Sequence, residues 1–322
     1  MIISTCNKCC LLQKLKPLLI LFALFACSAS YSQTLRVGST LWPGYEPLYL
    51  ANEIDAYQHD IRMIHYPSTS DVIRAFKNKA LEAAALTLDE VVMLSEYNIP
   101  VDIILVLDIS EGADVIMGRP DLKDIQGLIG KKVAVESTAV GAYTLSRALA
   151  IHDIEFDKVE LMNSEQSRHI DNYKKGLVDA VVTYEPVRTK LLHLGAIELF
   201  SSKEIPGEII DVLVVHRDVI KSHKDQLYDI AQGWFKALEY LKTDTIKAHQ
   251  FIASRMKISS KNVEESYYGL TLPSKDKNTE LLSGEPSLLD KSLIRLSHHM
   301  FKLELVNSKS TSNVLTNATF LP

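Results

Sequence analysis

An α/β fold built as two lobes is predicted by three observations. From Leu35 onward, short β-rich runs alternate with amphipathic helical runs, the pattern of an α/β fold with largely parallel sheets. Two segments, 109–119 and 204–210 with its Pro206-Gly207, flank a central block, 119–205, that has a β-α series of its own. After His216 the strands give way to helical runs. A chain that leaves one lobe, builds a second and returns fits these features, with residues 34–112 plus 211–305 as lobe 1 and 113–210 as lobe 2. Residues 306–322 are left as a tail.

Residues 1–33 read as an export signal: Lys8, Lys14 and Lys16, then the apolar run 18–25, then small residues. That run is too short to span a membrane. Cleavage before Gln33 would use Ser30 and Ser32 as the small residues. Cleavage before Cys27 would follow Leu24-Phe25-Ala26, which resembles a lipobox with Phe25 as a departure, and would leave Cys27 as a lipid-bearing N-terminus. Cys6, Cys9, Cys10 and Cys27 all fall in this leader, so Cys6-x-x-Cys9 is no metal or redox motif of the mature domain. Without disulfides the remaining chain, about 290 residues, must be held by its apolar core, and that length is ample. Losing three lysines and no acid takes the net charge from −5 to −8, which speaks against nucleic acid as a partner.

Strands are expected at 35–38, 101–107, 115–118, 132–136, 159–162, 178–183 and 211–216, and helices at 71–77 and 89–97 between the first of them. Further helices are expected at 226–241, 244–256, 260–270 and 286–305, Ser259-Ser260 with Glu264 giving one a start signal. Segment 274–285 reads as a solvated loop, and 307–319, rich in Ser, Thr and Asn, shows no periodicity.

The most informative loop is Ser39-Thr40-Leu41-Trp42-Pro43-Gly44-Tyr45-Glu46-Pro47, between a strand and a helix. Two prolines and a glycine fix it, and Trp42, Tyr45 and Glu46 are left to project. Trp42 either caps the core or forms the stacking wall of a ligand site at a strand's carboxyl end, where open α/β sheets bind ligands. A second candidate segment is Glu136-Ser137-Thr138-Ala139-Val140-Gly141-Ala142, strand to loop to helix. Its Ser137, its Thr138 and the N–H groups of Val140, Gly141 and Ala142 would form a helix N-terminus suited to an anionic or strongly polar group, or Ser137 or Thr138 would be an N-cap alone. Thr87 precedes Asp89 in the first turn of another helix, and Asp89 either complements the dipole or faces a ligand. Tyr184-Glu185-Pro186 repeats the theme of aromatic, acid and proline at a strand end, and Asp211 stands where the chain re-enters the first lobe.

These pieces, in their order and spacing, resemble the solute-binding proteins of ABC importers in the nitrate, alkanesulfonate, taurine and thiamine-precursor group. The resemblance covers about 34–272 and rests on Val37-Gly38 through Trp42-Pro43-Gly44-Tyr45-Glu46-Pro47, Ala85-Leu86-Thr87-Leu88-Asp89-Glu90, Gly130-Lys131-Lys132-Val133-Ala134-Val135, Gly176-x-Val178-Asp179-Ala180-Val181-Val182-Thr183-Tyr184-Glu185-Pro186 and Ser201-Ser202-Lys203-Glu204-Ile205-Pro206-Gly207. It implies a two-lobe type II periplasmic binding fold with two crossover segments, loops 39–46, 87–89, 137–143 and 183–186 facing the cleft, and an extracytoplasmic protein, periplasmic or lipid-anchored. It also implies an ABC permease and ATPase as partners, with a membrane kinase or cyclase sensor as the alternative, and a monomer.

An enzyme reading finds little: no G-x-S-x-G elbow, no H-E-x-x-H, and His298-His299 point about 100° apart on a helix. The cysteine-rich motif of the related yeast-type pyrimidine synthase has no counterpart in the mature domain. No cofactor and no metal are called for. The cleft acids Glu46, Asp89 and Glu185 suit a small polar organic solute with a hydrogen-bond donor, amine-bearing, zwitterionic or pyrimidine-like, while the helix N-terminus after Glu136 favours a sulfonate or carboxylate.

Overall fold

The computed structural model describes residues 33–137 and 140–322, so the leader with Cys27, and Thr138 of the candidate site, lie outside the described residues. Four β-strands and the helices between them open the fold: β1 (Leu35–Ser39), α1 (Glu46–Glu53), β2 (Ile61–His65), α2 (Thr69–Lys77), β3 (Ala83–Thr87), α3 (Leu88–Ser95) and β4 (Val101–Ser110). Nine of the ten residues of β4 are buried, as a mid-sheet strand whose centre, Ile103 to Leu107, is unbroken apolar requires. The Ser68 hydroxyl caps α2 by accepting from the Asp71 N–H.

Residues 111–114 then carry the chain into a second sheet. It is built from β5 (Val115–Gly118), β6 (Lys132–Val135), α4 (Val140–Ile151), β7 (Glu160–Asn163), α5 (Gln166–Lys174), β8 (Ala180–Thr183), α6 (Val187–His193) and β9 (Ile197–Ser201), in the order β7-β6-β8-β5-β9. The return strand β10 (Ile209–His216) is buried at every position. It inserts antiparallel between β3 and β4. Likewise β5, the first strand after the outward crossing, runs antiparallel to β8 and β9. The sheets are therefore mixed where parallel strands dominate the expectation, because the strand entering each sheet after a crossing arrives from the opposite end.

This topology places the site. With β10 antiparallel between its neighbours, Asp211 near its start lies in register with Thr87 at the end of β3 and Asp108 near the end of β4. Acids at two strand ends and a threonine at a third thus come to one edge.

The remainder is helical as expected, with α7 (Lys224–Thr243), α8 (Thr245–Met256) and α11 (Leu288–Lys302) as its main pieces. Four expectations need correction. Segment 260–270 is a 3₁₀ turn and a single helical turn, α9 (Val263–Ser266), leading to β11 (Leu270–Thr271). Residues read as a solvated loop contain α10 (Lys275–Leu282), held because the buried Asn278 amide bonds both the N–H and the C=O of Val106 on β4. The tail supplies β12 (Val314–Thr316), parallel to β4, and packs Phe320 into the core beside Trp234. Strands β2, β3 and β9 join the sheets although no strand was expected there. Among the described residues no helix is long and apolar enough to cross a membrane.

Candidate functional site

A cavity of about 20 Å³, room for one or two waters, lies between the two sheets. Thr40, Trp42, Tyr45, Thr87, Glu90 and Asp211 line it from the first sheet's side, and Val140 and Tyr184 from the second's, with Asp114 of the outward crossing and Thr69 of α2. The halves meet around it. Trp42 stands edge-on to Tyr184 at 5.1 Å, and the Ser70 hydroxyl and N–H both donate to Glu136, at 2.7 and 3.1 Å. The Val140 N–H, first in α4, donates to Glu90 Oε1 at 3.2 Å.

The aromatic loop is organised by acids. Trp42 Nε1 donates to Asp108 Oδ2 at 2.9 Å, and the Tyr45 hydroxyl donates to Asp211. Gly44 makes the first of these bonds sterically feasible, since a Cβ there would sit 1.7 Å from Asp108 Oδ2 and 2.6 Å from Trp42 Nε1. Trp42 is 4 % exposed and belongs to the core cluster with Leu35, Val37 and Trp234 while its ring also faces the cavity, so capping the core and walling a site are not exclusive roles.

Of the other sequence candidates, Ser39 is buried below the cavity lining and shares a 2.7 Å hydrogen bond with the Tyr49 hydroxyl. Glu46 is absent from the cavity wall: it is fully buried and accepts from Arg255 Nε at 2.7 Å. Glu185 is likewise taken up, accepting from the Thr189 hydroxyl and N–H. Ser137 is exposed and its N–H donates to Asn163. Gly141 borders a separate space of about 10 Å³ with Glu136, His169 and Tyr184, and Ala142 lines neither space. Asp89 is buried, and neither of its carboxylate oxygens has a hydrogen-bond partner among the described residues.

Glu90, Asp114, Thr40 and Thr69 line the cavity but were not among the sequence candidates. Glu90 had a readable signal, since Thr87-x-x-Glu90 is a capping box and Glu90 Oε2 does accept from the Thr87 N–H at 2.9 Å. That reading covers only one of its oxygens. The reach of the other to Val140, fifty positions on, has no local signature.

Burial dominates the titration of these acids. It lifts Asp89 to about 6, and Asp108 and Asp114 to about 7. Asp211 is raised well above the usual range by burial and by the neighbouring Asp108, and Glu90 by burial and by Asp89. The consequence for stability has a definite sign. The unfolded carboxyls ionise near pH 4 and the folded ones only near 6 to 7, so the folded state holds extra protons in between and loses stability as pH rises through that window. Buried His169, lowered to about 4, and His65, His216 and His299, also lowered by burial, work against this below about pH 6.5, whereas Glu82 and Glu208, lowered by Arg36 and Arg147, act below about pH 4.5. The raised carboxyls, with Glu46, Glu136 and Glu185 among them, outnumber these imidazoles, so the thermal midpoint of the ligand-free protein should fall between pH 5 and 8. Asp89→Asn should flatten that fall; an Asp89→Asn profile as steep as wild type would contradict the assignment.

Two α/β sheets joined by two crossings, with a closed cavity lined from both, define a type II periplasmic binding fold. The model of the NMT1-like family matches residues 28–256, and the chain belongs to that family. Over 220 residues it is 20 % identical to the taurine-binding periplasmic protein of Escherichia coli K12, covering 66 % of this chain and 68 % of that one. Among solved structures it is similar to the alkanesulfonate-binding protein SsuA of Xanthomonas axonopodis bound to MOPS, at TM-score 0.72 and 14 % identity over 87 % of this chain and 97 % of that one. It is also similar to the periplasmic nitrate-binding protein NrtA of Synechocystis, at TM-score 0.70 and 12 % identity over 88 % and 84 %.

Proposed function

We propose that this protein is the extracytoplasmic solute-binding component of an ABC importer and captures a small polar organic solute between two closing lobes. The observation that carries the reading is the cavity itself, enclosed at strand ends of both sheets, with buried polar groups converging on it. In this reading the lobes are 34–112 plus 211–305, and 113–210, both within the unit Thr34–Pro322. At about 20 Å³ the cavity is smaller than any organic solute, so entry requires the sheets to part and capture requires them to close again.

Binding rather than catalysis is supported by the site's chemistry. Its lining holds aromatic rings, hydroxyls and carboxyls that can stack on and hydrogen-bond a small solute. Export by the leader places the protein outside the cytoplasm, either free after cleavage before Gln33 or held by a lipid on Cys27, as a monomer that hands its cargo to a permease and ATPase. Reconstitution of that permease in liposomes tests this reading. Solute-loaded protein should raise ATP hydrolysis severalfold over the solute-free form; equal rates with both forms would overturn transport as its role.

A further inference from the structure

The charge around the cavity has one sign. Glu90, Asp114 and Asp211 line it, Asp108 pairs with Asp211 behind the aromatic loop, and no lysine or arginine is among the lining residues. The arginines on nearby helices are committed elsewhere: Arg147 to Glu208, Arg188 to Glu185 and Glu198, and Arg255 to Glu46. At the natural seat for an anion, the N-terminus of α4, the first N–H is taken by the protein's own Glu90 carboxylate. A sulfonate or nitrate would therefore enter among buried acids with no countercharge among the described lining residues.

A second, independent observation concerns unmet hydrogen-bonding capacity. The Thr87 hydroxyl, 5 % exposed and part of the cavity wall, has no partner among the described residues. The same holds for Asp108 Oδ1 and for both oxygens of Asp89, all buried. The carboxylate oxygens accept when ionised and the hydroxyl can accept or donate, and a buried polar atom is costly until a partner reaches it. Trp42, Tyr45 and Tyr184 add ring surface of the kind that attracts a cation.

We infer that the cavity takes a small organic cation bearing N–H donors, a protonated amine or an amidinium, and excludes sulfonates and nitrate. This rests on the solute-binding reading above. The N–H groups reach the Thr87 hydroxyl and the lining carboxyls of Glu90, Asp114 and Asp211, which also match the positive charge, and the aromatic rings close over the carbon skeleton. Burial keeps Asp114 partly protonated near neutrality, and the cation displaces that proton.

Thermal unfolding of the full mature chain with propylammonium, agmatine and acetamidinium, against tetramethylammonium, ethanesulfonate, taurine and nitrate, tests it. The N–H cations should raise the midpoint by about 5 °C or more at saturation, and the others should not. Asp114→Asn should fold cooperatively, at or above the wild-type midpoint, and bind the best cation at least tenfold more weakly. Stabilisation by tetramethylammonium alone would overturn the requirement for donors. Stabilisation by ethanesulfonate, taurine or nitrate would overturn the cation class and leave the solute-binding reading standing. A chain stabilised by none of these, and by no member of a broad neutral and charged solute library, would overturn both.

Discussion

Replacing Trp42 by alanine should destabilise the protein by about 3–5 kcal/mol, the range for deleting a large buried aromatic. The ring is 4 % exposed and packed in the core of the first sheet, and its edge-on contact with Tyr184 at 5.1 Å is one of the links between the two halves. Its loss also strips Asp108 Oδ2 of the indole N–H that satisfies it, a further penalty of about 1–3 kcal/mol where the oxygen stays dry. Trp42→Phe separates the two effects, since the ring stays and the donor goes. Urea unfolding should rank wild type above Phe above Ala, with the Phe variant losing about 1–3 kcal/mol. A Phe variant as stable as wild type would show that the Asp108 bond contributes nothing.

Arg255→Ala should be comparably severe for a different reason. Glu46 is fully buried at the start of α1 and receives two hydrogen bonds from the guanidinium of Arg255 on α8, at 2.7 and 3.3 Å. The same guanidinium lies 3.4 Å from the centre of the Tyr49 ring. Removing the arginine leaves an uncompensated buried carboxyl, and breaking one side of a buried pair costs about 3–5 kcal/mol. Removing both charges together, as Glu46→Gln with Arg255→Met, should recover much of that loss, because the desolvation cost disappears with the pair. Chemical denaturation of the two variants beside wild type measures the difference; a double variant no better than Arg255→Ala would show that packing over Tyr49, and not charge, ties α8 to α1.

The sequence exposed those parts of the fold that state their environment locally. The centres of β4 and β10, Ile103 to Leu107 and Val212 to Val215, are unbroken apolar runs, and those strands were legible for that reason. By contrast β3 begins Ala83-Ala84-Ala85, of poor strand propensity, and is a strand because every one of its residues is buried between β1 and β10. Helix α10 is polar over its first six residues, Lys275 to Glu280, and among these Asn278 is buried, its amide spent on a backbone unit of β4 that no local pattern announces, while Leu282 anchors the end in the core. The polar tail hides β12 because a strand of three residues needs only one buried side chain, Val314, to dock on β4.

The site divides the same way. Its aromatic loop and Asp211 could be singled out because Trp, Tyr and acid residues at strand ends have no obvious duty in the core. Glu46 and Glu185 share that signature yet are consumed by Arg255 and by Thr189, partners 209 and 4 positions away. Asp114 and Glu90 were missed because their positions on the cavity depend on how the crossing and the two sheets come together. At the expected seat for an anion, the start of α4, the first N–H is taken by the protein's own Glu90.

The most direct test of a cation-selective solute site is mass spectrometry of the small molecule released by denaturing protein purified under native conditions. The predicted result is an amine- or amidine-bearing compound with no sulfonate or carboxylate group, in near-stoichiometric amount. A sulfonate, a carboxylate or nitrate released in that amount would contradict it.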